Sequence, residues 1–394
     1  MTENMMLMKN NIFFCPTSSQ CQELDNLKTN FFGYVVADIK EELFTQNTNV
    51  YLCGDISENY ELVKDMKYKN VYAIREISQN VLDSLNYKII GIGQVPINMH
   101  NLGVYFRNVF DSKNYFNLIK NGHEFQSLTE SNKPGSAFRK GIYLTNVEQD
   151  QDYLKFNLLR CSSNLNGPTD NFREIDKEVV SKVNELSKEI FQEPAELNHV
   201  LAQIYINTSD TKAKIKSHSD KTKDMPLNGV MAFCTFYDDM NYDKITKSRT
   251  DMFDYCCGET SVFTKLCFKL KSCVESKNLI KEFNVTLYPN SIFFVPLSTN
   301  RLYTHEIRPS ILPYDKIPTR MGYVVRCSKT KAIFKDGQTY INDDGTNTKL
   351  ENPTDENIEE IRKLYFEENT TDKVIEYGKV YYSLNNGDYM KPNL

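Results

Sequence analysis

The chain has 394 residues, 40% hydrophobic and 25% charged, so it is long enough for a buried core and two or three domains, and its composition is that of a globular protein, not a disordered or collagen-like one. Its net charge of −5 excludes a global basic field of the kind that announces a nucleic-acid partner. No apolar run approaches a membrane span, and the opening MTENMMLMKNNIFF has no basic segment before an apolar stretch, so no secretory signal is expected.

The first forty residues show little periodicity. From residue 50 a strand–helix rhythm appears: Val50-Tyr-Leu-Cys53, a helical stretch, Val71-Tyr-Ala-Ile74, a second helix, then Lys88-Ile-Ile-Gly-Ile92. Gly91-x-Gly93 is a glycine turn after a strand; a dinucleotide fingerprint is rejected because the third glycine is missing and Pro96 interrupts. A second unit begins near residue 99, with a strand at Val104–Phe110 and a helix around Ser112–Lys120. Residues 129–138 form a polar loop, and Val179, Val183, Leu186 and Ile190 put one apolar face on a helix over 176–190. From residue 200 the texture becomes strands and turns: Val200–Tyr205, Gly229–Tyr237, Ser261–Leu270, Phe283–Tyr288, Ile292–Val295 and Gly322–Cys327. Their alternation predicts an antiparallel double sheet or barrel. Beyond residue 330, Thr354 or Asp355 caps an acidic helix, followed by the aromatic run Tyr377–Tyr382.

The ten cysteines contain no C-x-x-C pair, which favours free thiols in a reducing, intracellular setting (cytoplasmic or nuclear) over a disulfide framework or a zinc module.

The chemistry concentrates in few residues. Of five histidines, His218 stands two residues before Asp220, so on an extended segment both side chains point the same way and reach one metal. Alone, His-x-Asp is a weak signal. Downstream, directly after a strand, Ser298-Thr-Asn-Arg-Leu-Tyr-Thr-His305-Glu-Ile-Arg-Pro309 supplies a second imidazole. Two histidines and a carboxylate form the facial triad of non-haem Fe(II) oxygenases, with positions left open for a chelating co-substrate and O₂. Arg320 and Arg326 follow at a six-residue spacing that puts both on one face of a strand. Inward arginines need a partner, and a dicarboxylate fits them bidentately; pairing with protein acids is the plain alternative.

The order His-x-Asp, distal His, Arg-x5-Arg resembles the signature of the AlkB-like 2-oxoglutarate/Fe(II)-dependent dioxygenases. Leu287-Tyr-Pro-Asn-Ser-Ile-Phe-Phe resembles that family's turn and strand before the distal histidine, and Val104-Tyr-Phe-Arg-Asn-Val-Phe its opening, so the resemblance covers residues 100–330. It implies an α+β fold: a double-stranded β-helix (jelly roll) with supporting helices, plus a small α/β N-terminal region. The expected division is an accessory region over 1–98, the dioxygenase domain over 99–332 and an extension over 333–394. The resemblance further implies that His218, Asp220 and His305 bind Fe(II), and that Arg320 holds the distal carboxylate of 2-oxoglutarate and Arg326 the carboxylate beside its keto group. Tyr205 matches the family's Asn-x-Tyr strand, whereas Gln203 stands where the family has Asn. The implied reaction couples decarboxylation of 2-oxoglutarate by O₂ to hydroxylation of a C–H bond, or demethylation where that carbon sits on nitrogen.

Alkylated nucleic acid is the substrate this resemblance favours. A protein hydroxylase or demethylase of the same architecture, and an inactive jelly-roll binding module, are the alternatives. Lys212, Lys214, Lys216, Lys221 and Lys223 beside His-x-Asp are either a phosphate-attracting cluster or a solvated loop. Thr222 occupies the position where nucleobase members carry an acid. His123 and Phe125 are candidates for base stacking in a chain without tryptophan, and the turn-rich stretch Arg160–Arg173 is either part of the substrate lip or a structural turn.

Overall fold

The computed structural model describes residues 10–16, 22–39, 45–81, 86–110, 112–129, 136–161, 165–238, 242–343 and 345–394. Near the N-terminus, five parallel strands line up in the order Tyr34–Val36, Asn11–Phe14, Asn49–Asp55, Asn70–Gln79, Lys88–Ile90. The inner runs Ile12-Phe-Phe, Val50-Tyr-Leu-Cys and Val71-Tyr-Ala-Ile are continuously apolar because a parallel sheet is covered on both faces. Ile12, Phe14, Val50 and Leu52 pack on Ile56 and Val63 of the helix Ile56–Val63, whose first turn is capped by Asp55 accepting from the Ser57 N–H at 2.9 Å. Phe13, Tyr51 and Tyr72 face Leu24 and Leu27 of the helix Gln22–Asn30.

The first forty residues, which show little periodicity, contain two strands and a helix of this region. The strand expected over Val71–Ile74 continues to Gln79, because Ser78 and Gln79 pair with Gly54 and Asp55, and the second helix expected before Lys88 falls on residues 82–85, outside the described ones.

The body is built from two facing sheets. The larger runs Asp170–Asn171, Ser136–Thr145, His199–Tyr205, Arg320–Arg326, Val230–Tyr237, Ser291–Pro296, Gly103–Phe106, Ile97–Met99, with Gln126–Thr129 paired to Ser136–Thr145. The polar loop expected over 129–138 falls largely on 130–135, outside the described residues, and Ser136 already belongs to a strand. The smaller sheet runs Ile215–His218, Tyr303–Ile307, Lys265–Leu270, Glu282–Thr286, all antiparallel.

Period-two alternation divides the larger sheet into two working faces. Val200, Ala202, Ala232, Cys234, Met321 and Tyr323 point outward against Val179, Val183, Leu186 and Ile190 of the helix Glu174–Ile190, as the helical spacing predicted. Met231, Phe233, Phe293 and Val295 point inward, sharing a core with Phe268, Phe283, Val285 and Tyr303 of the smaller sheet. Each such fully buried side chain contributes about 1.5–3 kcal/mol of burial free energy.

A third antiparallel sheet orders Glu148–Asp150, Tyr153–Leu158, Thr330–Lys335, Gln338–Asp343, Thr346–Lys349. The strand Thr330–Lys335 straddles residue 332 and pairs with Tyr153–Leu158, so the C-terminal segment is continuous with the body. The helix Asp355–Thr370 follows, capped by Thr354, which accepts from the Asn357 N–H at 3.2 Å. No helix among the described residues is long and apolar enough to cross a membrane.

Candidate active site

His218 is the last residue of its strand and pairs in register with His305 on the neighbouring one, with ring centroids 4.5 Å apart. Asp220 follows two residues on. Its Oδ1 lies 3.6 Å from His218 Nε2 and 3.8 Å from His305 Nε2. Two ligands about 2.1 Å from one ion can be at most about 4.2 Å apart, so both distances suit a single divalent ion. The three ligand atoms all lie within 4.8 Å of one another, the one such group among the described residues.

The surroundings set the state that a metal needs. His218 Nδ1 lies 2.8 Å from the Lys216 carbonyl, which can only accept, so Nδ1 carries the proton and Nε2 turns its lone pair to the site. His305 is buried among Phe233 and Phe268, and burial, then the neighbouring His218, pushes its imidazole down to about 3, which keeps it neutral. Burial alone would raise the Asp220 carboxyl. The Arg326 guanidinium and the His218 contact outweigh it and hold the group well below the usual range. Arg326 donates through Nε at 2.8 Å and Nη2 at 2.6 Å to Asp220 Oδ2, which leaves Oδ1 facing the imidazoles.

The backbone around Asp220 is held by side chains far from it in the sequence. The Asp220 N–H donates to Asn300 Oδ1 at 2.8 Å, and Asn300 Nδ2 returns a bond to the Asp220 carbonyl at 2.9 Å. The Ser219 N–H donates to Asn369 Oδ1 at 2.7 Å, and the Thr222 N–H to Glu368 at 3.1 Å. In the sequence Asn300 stands only as one residue of the segment before His305, and Glu368 and Asn369 lie in the extension beyond residue 332 with nothing to single them out.

Arg320 and Arg326 share the inner face of their strand with Tyr205 and Gln203 opposite. Tyr205 pairs with Arg320 and Gln203 with Gly322. The Arg320 guanidinium lies over the Tyr205 ring, 3.9 Å from its centre, and the Tyr205 hydroxyl donates to Gln203 Oε1 at 3.0 Å. A Cβ on Gly322 would come within 2.9 Å of Arg320 Nη1, so glycine makes the room for this stacking. Arg320 is only 4% exposed, yet its Nε and Nη2 have no hydrogen-bond partner among the described residues. It lines a cavity of about 280 Å³ with Tyr205, Asn207, Lys265 and Ile307, the last two positions beyond His305 on the same strand face.

Other candidates resolve differently. Of the five lysines, Lys214 and Lys216 are exposed. Lys221 turns inward over the Tyr365 ring at 4.0 Å, and Lys223 packs beside Asp224, burial lowering its ammonium to about 8. They do not form one phosphate-facing cluster. His123 is not free to stack on a base: its ring bridges Asp170 at 2.7 Å and Asp176 at 2.8 Å in the core, and although burial opposes it the two carboxylates raise it to about 9. Phe125 packs at the edge of the outward-facing core. Arg160 points inward too, clasping Asp224 and donating to the Val380 carbonyl at 2.7 Å, so it is no part of a lip; residues 162–164 of that stretch lie outside the described ones. Nine described cysteines are free thiols.

No family model matches the chain and no curated protein matches it. Among solved structures it is similar to OsALKBH1, at 13% identity and a TM-score of 0.34 over 57% of this chain and 97% of that one. It is also similar to a prolyl-4-hydroxylase from Pseudomonas putida (10%, TM-score 0.28, 55% and 82%) and to the non-haem α-ketoglutarate-dependent epimerase SnoN of nogalamycin biosynthesis (8%, 0.33, 59% and 80%).

Proposed function

We propose that the chain is a 2-oxoglutarate- and Fe(II)-dependent dioxygenase, an oxidoreductase whose two facing sheets form a double-stranded β-helix with the metal at its mouth. The observation that carries this reading is the buried Arg320, charged, without an acid partner among the described residues and set against a cavity on the same inner face as Arg326. A structural metal site has no use for such a group, whereas a dicarboxylate supplies its missing acceptors.

In this reading His218, Asp220 and His305 hold Fe(II), a donor set of two imidazoles and one carboxylate suited to that ion. With Fe(II) and 2-oxoglutarate bound there, O₂ would be the oxidant: one of its oxygen atoms would enter succinate as 2-oxoglutarate loses CO₂, and the other would be inserted into a substrate C–H bond. Arg320 takes the distal carboxylate, oriented by Tyr205, which Gln203 fixes in turn. Arg326 first orients Asp220; its Nη1, buried and unpartnered, is the donor left for the carboxylate beside the keto group. Phe233 and Phe268 exclude water from the His305 side.

For substrate we assign alkylated nucleic acid, supported by the AlkB-like order of motifs and by exposed Lys216 on the strand of His218 and exposed Lys214 just before it. The inward turn of Lys221 and Lys223 weakens this support. Formaldehyde release from methylated DNA, RNA and histone-like peptides tests it. Release from oligonucleotides alone is expected; release from peptides alone contradicts the assignment while keeping the enzyme class.

A further inference from the structure

This inference rests on the metal-centre reading above and concerns how the Asp220 loop is held. The loop leaves the smaller sheet at His218, where the ladder with Tyr303–Ile307 ends. Beyond that point the N–H groups of Ser219, Asp220 and Thr222 have no strand partner, and unpaired buried N–H groups are strongly disfavoured. Three side chains satisfy them: Asn369, Asn300 and Glu368, which lie 150, 80 and 146 residues away along the chain. Two of the three sit on consecutive residues in the last turn of the C-terminal helix Asp355–Thr370.

That turn is itself anchored. Asn369 Nδ2 donates to the Tyr365 carbonyl at 2.9 Å, which fixes the amide so that Oδ1 faces Ser219. The Glu368 carboxylate also accepts from the Thr222 and Tyr377 hydroxyls. Lys271 Nζ donates to the carbonyls of Glu368 at 2.6 Å and Thr371 at 2.9 Å, tying the helix end to the smaller sheet. Lys221, next to Asp220, lies over the Tyr365 ring.

We propose that Asn369 and Glu368 are positioning residues of the metal centre, so that docking of the C-terminal helix and metal binding at His218, Asp220 and His305 are linked. Linkage is reciprocal: a metal bound to the ligand loop stabilises the docked helix, and loss of the helix contacts weakens the metal. The Ser219 and Thr222 bonds set where the Asp220 backbone stands, and an error of about an ångström there is enough to spoil a ligand set.

The test is Mn(II) titration of the full chain without oxygen, with hydrogen exchange of segments 215–223 and 355–370 followed with and without Mn(II). Asn369→Ala and Glu368→Ala are expected to weaken Mn(II) binding by about tenfold or more, and Glu368→Gln, which keeps an acceptor for Thr222, to stay within about threefold of wild type. Thr354→Ala uncaps the far end of the same helix and is expected to lower thermal stability without changing Mn(II) affinity. In wild type, Mn(II) slows exchange in 355–370. Ala variants that bind Mn(II) like wild type, or wild-type exchange in 355–370 indifferent to Mn(II), overturn the proposal even if a variant folds poorly. Wild type that takes up no Mn(II) overturns the metal-centre reading itself, and this proposal with it.

Discussion

Arg320→Met separates the co-substrate role proposed for this arginine from any role in the fold. Among the described residues two buried donors of Arg320 have no acceptor, each a penalty of about 1–3 kcal/mol. The stacking on Tyr205 at 3.9 Å returns about 0.5–2 kcal/mol. Methionine fills similar space without donors, so removal of the two penalties offsets the lost stacking and the variant should be at least as stable as wild type, by up to a few kcal/mol. Binding of 2-oxoglutarate should behave oppositely. Truncating one partner of a buried charge pair costs about 2–5 kcal/mol, a loss of roughly 30-fold to several thousand-fold in affinity. Urea unfolding measures the first quantity, and calorimetric titration of 2-oxoglutarate into Mn(II)-loaded protein without oxygen measures the second. A variant that loses more than about 3 kcal/mol of stability, or binds 2-oxoglutarate within about threefold of wild type, refutes the reasoning.

Three further outcomes follow from the same geometry. Gly322→Ala places a Cβ 2.9 Å from Arg320 Nη1, a flexible side-chain end that can move aside, so stability is expected to hold while 2-oxoglutarate affinity falls; unchanged affinity argues against the stacked guanidinium as the binding form. Arg326→Met strands the buried Asp220 carboxylate and is expected to lower the metal-free unfolding free energy by about 3–5 kcal/mol, most of it recovered by adding Asp220→Asn; no recovery means that the pair is not what Arg326 stabilises. His199 is held neutral in the fold, its imidazole pushed to about 3 by burial and then by Arg326, whereas an unfolded histidine titrates near 6.5. Below about pH 6.5 the unfolded chain therefore binds a proton that the folded chain does not, and stability falls as pH drops toward 3. His199→Leu removes that contribution, so acid unfolding of the metal-free protein should shift to lower pH; an unchanged or higher midpoint contradicts it.

The parts legible in the sequence were those written in short-range pattern. His218 and Asp220 announce themselves by spacing, the helix Glu174–Ile190 by its apolar face, and the strands after residue 200 by alternation. The strand at Asn11–Phe14 was missed because a four-residue apolar run has no period to detect, and the strand at Asn70–Gln79 was cut short because its last pairs are set by Gly54 and Asp55 on a neighbour. Register across strands, which brings His305 opposite His218 and Tyr205 opposite Arg320, is a tertiary property. The inward turn of Lys221 and Lys223 was hidden for a related reason: a lysine reads as solvated until an aromatic ring or an aspartate elsewhere in the chain draws it in. Asn369 and Glu368 look in sequence like ordinary residues of an acidic helix, because their acceptors matter only once the helix reaches the ligand loop.

The central claim is tested most directly by succinate formation from 2-oxoglutarate under air, with purified full-length chain and added Fe(II). Iron-dependent succinate release is expected, lost in His305→Ala and in Arg320→Met while both variants remain folded. Succinate release that persists without His305, or a wild-type protein that binds Fe(II) and 2-oxoglutarate and never turns over with any methylated nucleic acid or peptide, contradicts it.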